Sequence, residues 1–117
     1  MRRRIAQAMA LTVTAVGLSV VGYSTPAMAL PCGVSGPDVD DSSYGKNFLR
    51  SVSLRNGPDW SCDVIGTATT ANLVDYHCFV IGQTGTWTYL RTATDRYGWV
   101  WDDYLQNNGS QVHCSNG

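Results

Sequence analysis

The chain has 117 residues, four Cys and a formal net charge of −1 with no Glu among its nine acidic residues. So short a chain holds one domain with a limited core. It has no basic surplus, which argues against nucleic acid or an anionic membrane surface as a partner.

Residues 1–29 read as a secretory signal peptide. Met1-Arg2-Arg3-Arg4 is a basic start, residues 5–21 are apolar apart from Gln7 and small or hydroxyl residues, and Ala27-Met28-Ala29 is a small-residue cleavage site. Cleavage after Ala29 leaves residues 30–117, in which five Lys and Arg face nine Asp, a formal balance of −4. All four Cys, at 32, 62, 78 and 114, lie in that part. An even count in a short exported chain predicts two disulfides and no zinc site. The expected location is extracellular or wall-associated, with no membrane contact once the signal is removed.

Residues 30–47 are rich in Gly, Pro, Ser and Asp without a period, so an irregular arm is expected. Asp38, Asp40 and Asp41 lack the central Gly and distal carboxylate of a calcium loop and read as a solvated turn. Alternation over 48–55 predicts a strand with Val52 and Leu54 inward, and Asn56-Gly57-Pro58-Asp59 is a turn. Further strands are predicted over 64–67, 73–81, 86–92 and 98–101, with one helical turn over 102–105. Residues 73–105 are the densest part, carrying three of the four Trp and five other aromatics. Residues 107–117 form a polar tail. Five short strands and no long 3.6-residue period predict an all-β fold, a small five-stranded barrel spanning 48–106. If a hairpin centres near Thr70, Cys62 falls level with Cys78. That register predicts Cys62–Cys78, leaving Cys32–Cys114 to join the two ends, each worth roughly 3 to 4.5 kcal/mol.

Several pieces together resemble the bacterial SH3 (SH3b) family, in the form found in small secreted actinobacterial proteins. They are Val52-Ser53-Leu54-Arg55-Asn56-Gly57-Pro58, Val64-Ile65-Gly66, Trp87 with Tyr89-Leu90-Arg91, and Gly98-Trp99-Val100 with Asp103-Tyr104-Leu105. The resemblance covers about 51–105. It implies an SH3-like barrel with a 3-10 turn at 102–105 and a binding role, often on peptidoglycan. The stretch 98–105 is also similar to the distal part of eukaryotic SH3 domains, where the matching positions of a peptide groove are Trp101, Tyr104 and Trp87. Here Trp101 stands where that family has Pro, and the A-L-Y-D-Y stretch is absent.

Period-2 geometry with Val100 inward puts Trp99 and Trp101 on the outer side. Trp87, Trp101 and Tyr104, with Trp60 in the neighbouring loop, are therefore the expected ligand-binding aromatics. Asp102, or its neighbour Asp103, is the expected polar contact. Asp75 and His77 share a strand face, but no Ser stands in a nucleophile context. No catalytic residue, metal or cofactor is expected. The expected protein is a monomeric binding module for peptidoglycan or for an extracellular peptide or protein. The alternative is a small secreted inhibitor or effector that presents the rigid loop 56–61.

Overall fold

The computed structural model describes residues 31–116; the expected signal peptide lies outside the described residues. Six antiparallel strands form one curled sheet, a half-barrel. They are β1 (Lys46–Asn47), β2 (Val52–Arg55), β3 (Val64–Ala68), β4 (Leu73–Gly82), β5 (Gly85–Thr92) and β6 (Tyr97–Trp101). Their order across the sheet is β1-β4-β5-β6-β2-β3. A 3-10 turn, Asp102–Tyr104, follows β6. No helix among the described residues is long and apolar enough to cross a membrane.

The expected all-β architecture is present, with six strands in place of five. The alternation over 48–55 conceals a break. Phe48 belongs with the β1 end and bridges to Leu105, Leu49 and Arg50 are exposed, and pairing resumes only at Val52. Leu49 N donates to Tyr104 O (2.9 Å), so the chain here leaves one strand partner for another. The added strand, β1, pairs with β4 from within the segment expected to be irregular.

The concave face gathers Phe48, Val52, Leu54, Ala68, Val74, Tyr76, Leu90, Val100 and Leu105 into one buried cluster. Val52 and Leu54 point inward as their alternation requires. The Tyr76 hydroxyl donates to Gln106 O (2.6 Å), which lets a phenol sit in this core with its polar end satisfied.

On β4, five consecutive residues, Val74 to Cys78, are buried, because both faces of the strand are covered. The second cover is the arm. Gly33 N and Val34 N donate to Asn56 O, Trp99 Nε1 donates to Val34 O (2.8 Å), and Val39 N and Asp40 N donate to His77 O. The C-terminal residues are stitched on too. Phe79 N donates to Val112 O (2.9 Å), and Ser110 Oγ donates to Asp40 Oδ2 (2.7 Å), joining tail to arm. Gly109 has φ +77°, and a Cβ there would run into the Asp102 and Thr88 side chains. Only Gly fits both the conformation and the space.

The disulfides differ from the expected pairing: they are Cys32–Cys62 and Cys78–Cys114. The cause is strand order. The chain does turn at Thr69–Asn72, where Asn72 N donates to Thr69 O (3.0 Å). The strands on either side then diverge. β3 folds back on β2, while β4 pairs with β5 and β1. Cys62 and Cys78 are thus never level. Cys62 faces the start of the arm, and Cys78 faces the tail.

Candidate functional site

The β5–β6 hairpin carries a ladder of outward pairs, Trp87↔Trp101, Tyr89↔Trp99 and Arg91↔Tyr97. Period 2 places all six side chains on the convex face, while Thr88, Leu90 and Val100 turn inward. The three rungs meet different surroundings. The middle rung is under the arm, and Trp99 is only 2 % exposed. At the Trp87–Trp101 rung Trp87 is covered by Trp60, and Trp101 is left half-open as the wall of a pocket.

Four aromatics converge there. The Trp60 ring stands edge-on to Trp87 (4.8 Å between centroids), Trp101 (5.5 Å) and Tyr104 (6.1 Å). Trp101 and Tyr104 are 5.3 Å apart and nearly perpendicular. Such edge-to-face contacts add about 0.5–1.5 kcal/mol each beyond burial, so the cluster holds its own shape. Trp87 is 1 % exposed and forms the floor, Trp101 and Tyr104 are half-buried walls, and Trp60 is 39 % exposed at the rim.

The loop 56–61 sets Trp60 in place. The Arg55 guanidinium donates to the carbonyls of Trp60 (2.9 Å) and Cys62 (3.0 Å), and Asp59 Oδ2 accepts from Ser61 N (2.9 Å). The Ser61 hydroxyl, which donates to the same oxygen, and the Ser61 amide hold the Asp59 carboxyl below its ordinary range. Cys62 is anchored through Cys32. Gly57, Pro58 and Asp59 are buried against the sheet, while Trp60 and Ser61 at the end of the loop are exposed.

Two cations complete the site. The Arg50 guanidinium lies 4.6 Å from the Tyr104 ring centroid, and that of Arg55 lies 5.2 Å from Trp60. Ser51 and Ser53 line the same pocket, whose volume is about 190 Å³ and whose lining contains no acidic residue. A chain expected to carry an acidic excess thus gathers two of its arginines around one aromatic hollow. Neither arginine nor serine was among the site residues expected from sequence. The signal was partly there: Ser51, Ser53 and Arg55 alternate with inward Val52 and Leu54. What alternation does not reveal is that β2 lies beside β6.

Asp102 is not a pocket residue, contrary to expectation. It is 4 % exposed, and Thr88 Oγ1 donates to its Oδ1 (2.6 Å), while Ser110 N donates to Thr88 Oγ1 (2.9 Å). As the first residue of the 3-10 turn it follows Trp101 on the alternate side, which faces inward. Burial holds its carboxyl above the ordinary range, against hydrogen bonds from Thr88 and Thr86 that favour the carboxylate. A raised folded-state pKa means that the folded protein holds this proton more tightly than the unfolded chain. The stabilisation is complete below the unfolded value, about 4, and is lost as pH rises through the folded value. Asp102→Asn keeps an acceptor for Thr88 and removes the titration. Urea midpoints from about pH 3.5 to about pH 7 are expected to fall less, or rise more, with pH in the variant than in the parent. Parallel curves would show that the buried carboxyl is not the cause.

Comparison with protein-family models, with curated proteins and with solved structures finds no match to this chain.

Proposed function

We propose that this protein is an extracellular binding module of SH3b type that recognises peptidoglycan at the cell surface through the pocket of Trp60, Trp87, Trp101 and Tyr104. The observation that supports this most directly is the convergence of four aromatic rings under two guanidinium groups. Aromatic faces stack on the apolar faces of sugars, and guanidinium groups match carboxylates of the kind that peptide-bearing glycans carry. At about 190 Å³ the pocket is smaller than the roughly 300–1,000 Å³ of sites that engulf a small molecule. It fits one ring or one side chain of a longer ligand lying across the surface. Two disulfides and the basic-apolar start of the sequence suit an exported chain.

Sedimentation with purified peptidoglycan tests the reading. The parent is expected to co-sediment, and the double variant Trp101→Ala, Tyr104→Ala to bind at least about a hundredfold more weakly, each truncation removing about 1.5–2 kcal/mol. Arg50→Ala is expected to weaken binding most at low ionic strength, because Arg50 is exposed and its charge is screened by salt. A parent that stays in the supernatant, or a double variant that sediments like the parent, overturns the proposal.

A further inference from the structure

At the far end of the aromatic ladder from the pocket, β4 contains a bulge between Tyr76 and Cys78. Tyr76 opposes Leu90 in the core, and Cys78 already opposes Tyr89 on the convex face. His77 is the additional residue. Its ring lies 5.6 Å from Tyr89 and 6.0 Å from Tyr97, on the same face as Asp75. The arm crosses at this point, because Val39 N (3.1 Å) and Asp40 N (2.9 Å) both donate to His77 O. That crossing brings Asp38 beside the imidazole.

His77 Nε2 lies 3.4 Å from Asp75 Oδ2 and 3.6 Å from Asp38 Oδ2. The three donor atoms are within 4.8 Å of one another. These separations are long for hydrogen bonds, which run about 2.7–3.2 Å. The two His77 separations, 3.4 and 3.6 Å, suit ligands of one small cation, since bonds of about 2.1 Å in tetrahedral geometry put neighbouring ligands about 3.4 Å apart. A second observation points the same way. Asp75 is 8 % exposed, and its Oδ1 is buried without a hydrogen-bond partner. Arg91 stands opposite Asp75 in the ladder yet pairs with Asp95 (2.6 Å). Among the described residues, His77 is the one basic group within ion-pair distance of Asp38 or Asp75.

We propose that Asp38, Asp75 and His77 form a site for Zn²⁺. One imidazole nitrogen and two carboxylate oxygens are hard-to-borderline donors that suit zinc, and three protein ligands leave a fourth position for water. Two ligands come from β4 and one from the arm, so the ion ties the arm to the sheet.

Titration calorimetry of the untagged, disulfide-bonded protein with ZnCl₂ is expected to show saturable binding of one equivalent. Its Tm is expected to rise by about 11–22 °C when Zn²⁺ exceeds Kd a hundredfold. Asp38→Asn alters an exposed arm residue and is expected to weaken binding at least about tenfold. His77→Ala is expected to abolish it. His113→Ala is expected to leave binding intact, because that ring pairs with Ser115 (2.9 Å). Should His77→Ala not fold, Co²⁺ absorption decides: a tetrahedral visible spectrum in the parent that is lost in Asp38→Asn supports the site. Absence of saturable binding by the parent, preference for Ca²⁺ over Zn²⁺, or binding lost with His113 rather than Asp38 overturns it.

Discussion

Replacing Cys78 and Cys114 together by Ser is expected to lower the stability of this domain by about 4 kcal/mol. The bond closes a separation of 36 residues, and loop-closure entropy alone assigns it about 3.8 kcal/mol. The Cys32–Cys62 bond spans 30 residues, for which the same relation gives about 3.6 kcal/mol. On chain entropy the two differ by only about 0.2 kcal/mol. The native contacts separate them. Cys114 holds a tail that supplies Ser110 to Thr88 and Asp40, and Val112 to the edge of β4. Freeing the tail opens the buried Asp102 to water. The Cys78/Cys114 variant is therefore expected to be the weaker of the two double mutants. Urea unfolding of both, under identical conditions, measures the difference. A loss below about 1 kcal/mol in each would mean that neither cross-link matters to a chain of this size.

The second large effect is expected at Trp99. Trp99→Ala removes a ring that is 2 % exposed, packs 5.1 Å from Tyr89 and donates to Val34 O. Truncating a buried Trp costs about 3–5 kcal/mol. Trp99→Phe keeps most of the packing and leaves the Val34 carbonyl without its indole donor, so it is expected to cost about 1–2 kcal/mol. The arm should then become the preferred site of proteolytic cleavage in the alanine variant. Trp101, two residues along the same strand face, provides the contrast. It is half-buried at the pocket wall, so Trp101→Ala is expected to cost less stability while removing a binding surface. If Trp99→Ala and Trp101→Ala lose equal stability, the division of the ladder into covered and open rungs is wrong.

That division shows how far the sequence could be read. Residues 98–101 alternate, and Val100 is an aliphatic residue between two Trp. From this alone, the outward direction of Trp99 and Trp101 follows. The structure has both outward and brings Trp87, Trp101, Tyr104 and Trp60 together. The strands at 64–68, 73–82, 85–92 and 97–101 lie within a residue of where β-branched and aromatic runs between turn residues place them. These are local properties, fixed by period and turn chemistry.

What could not be read is which strands become neighbours. Thr69-Thr70-Ala71-Asn72 looks like a hairpin loop, and a turn does form there. Yet the hydrophobic faces of β3 and β4 are buried by other partners. The expected disulfides inherited that error. The arm was opaque for a related reason. Its Gly, Pro and Asp residues carry no period, but a segment needs none when its hydrogen bonds go to Asn56, His77 and Trp99 on elements already in place. Asp102 is a third case. Adjacent Asp102 and Asp103 look equivalent in sequence, and only the 3-10 turn sends one inward and leaves the other exposed.

The consecutive order of the disulfides has a consequence for biosynthesis. Cysteines pair first with second and third with fourth. A polypeptide is made from its N-terminus, so the first pair is complete before the third cysteine has been added. Where the chain meets an oxidant N-terminus first, the earliest oxidation open to it is thus also the correct one. A nested arrangement would have left Cys32 waiting for a partner 82 positions away, with two wrong thiols arriving first. Under that order of exposure, maturation is expected to depend little on an isomerase that reshuffles mispaired bonds.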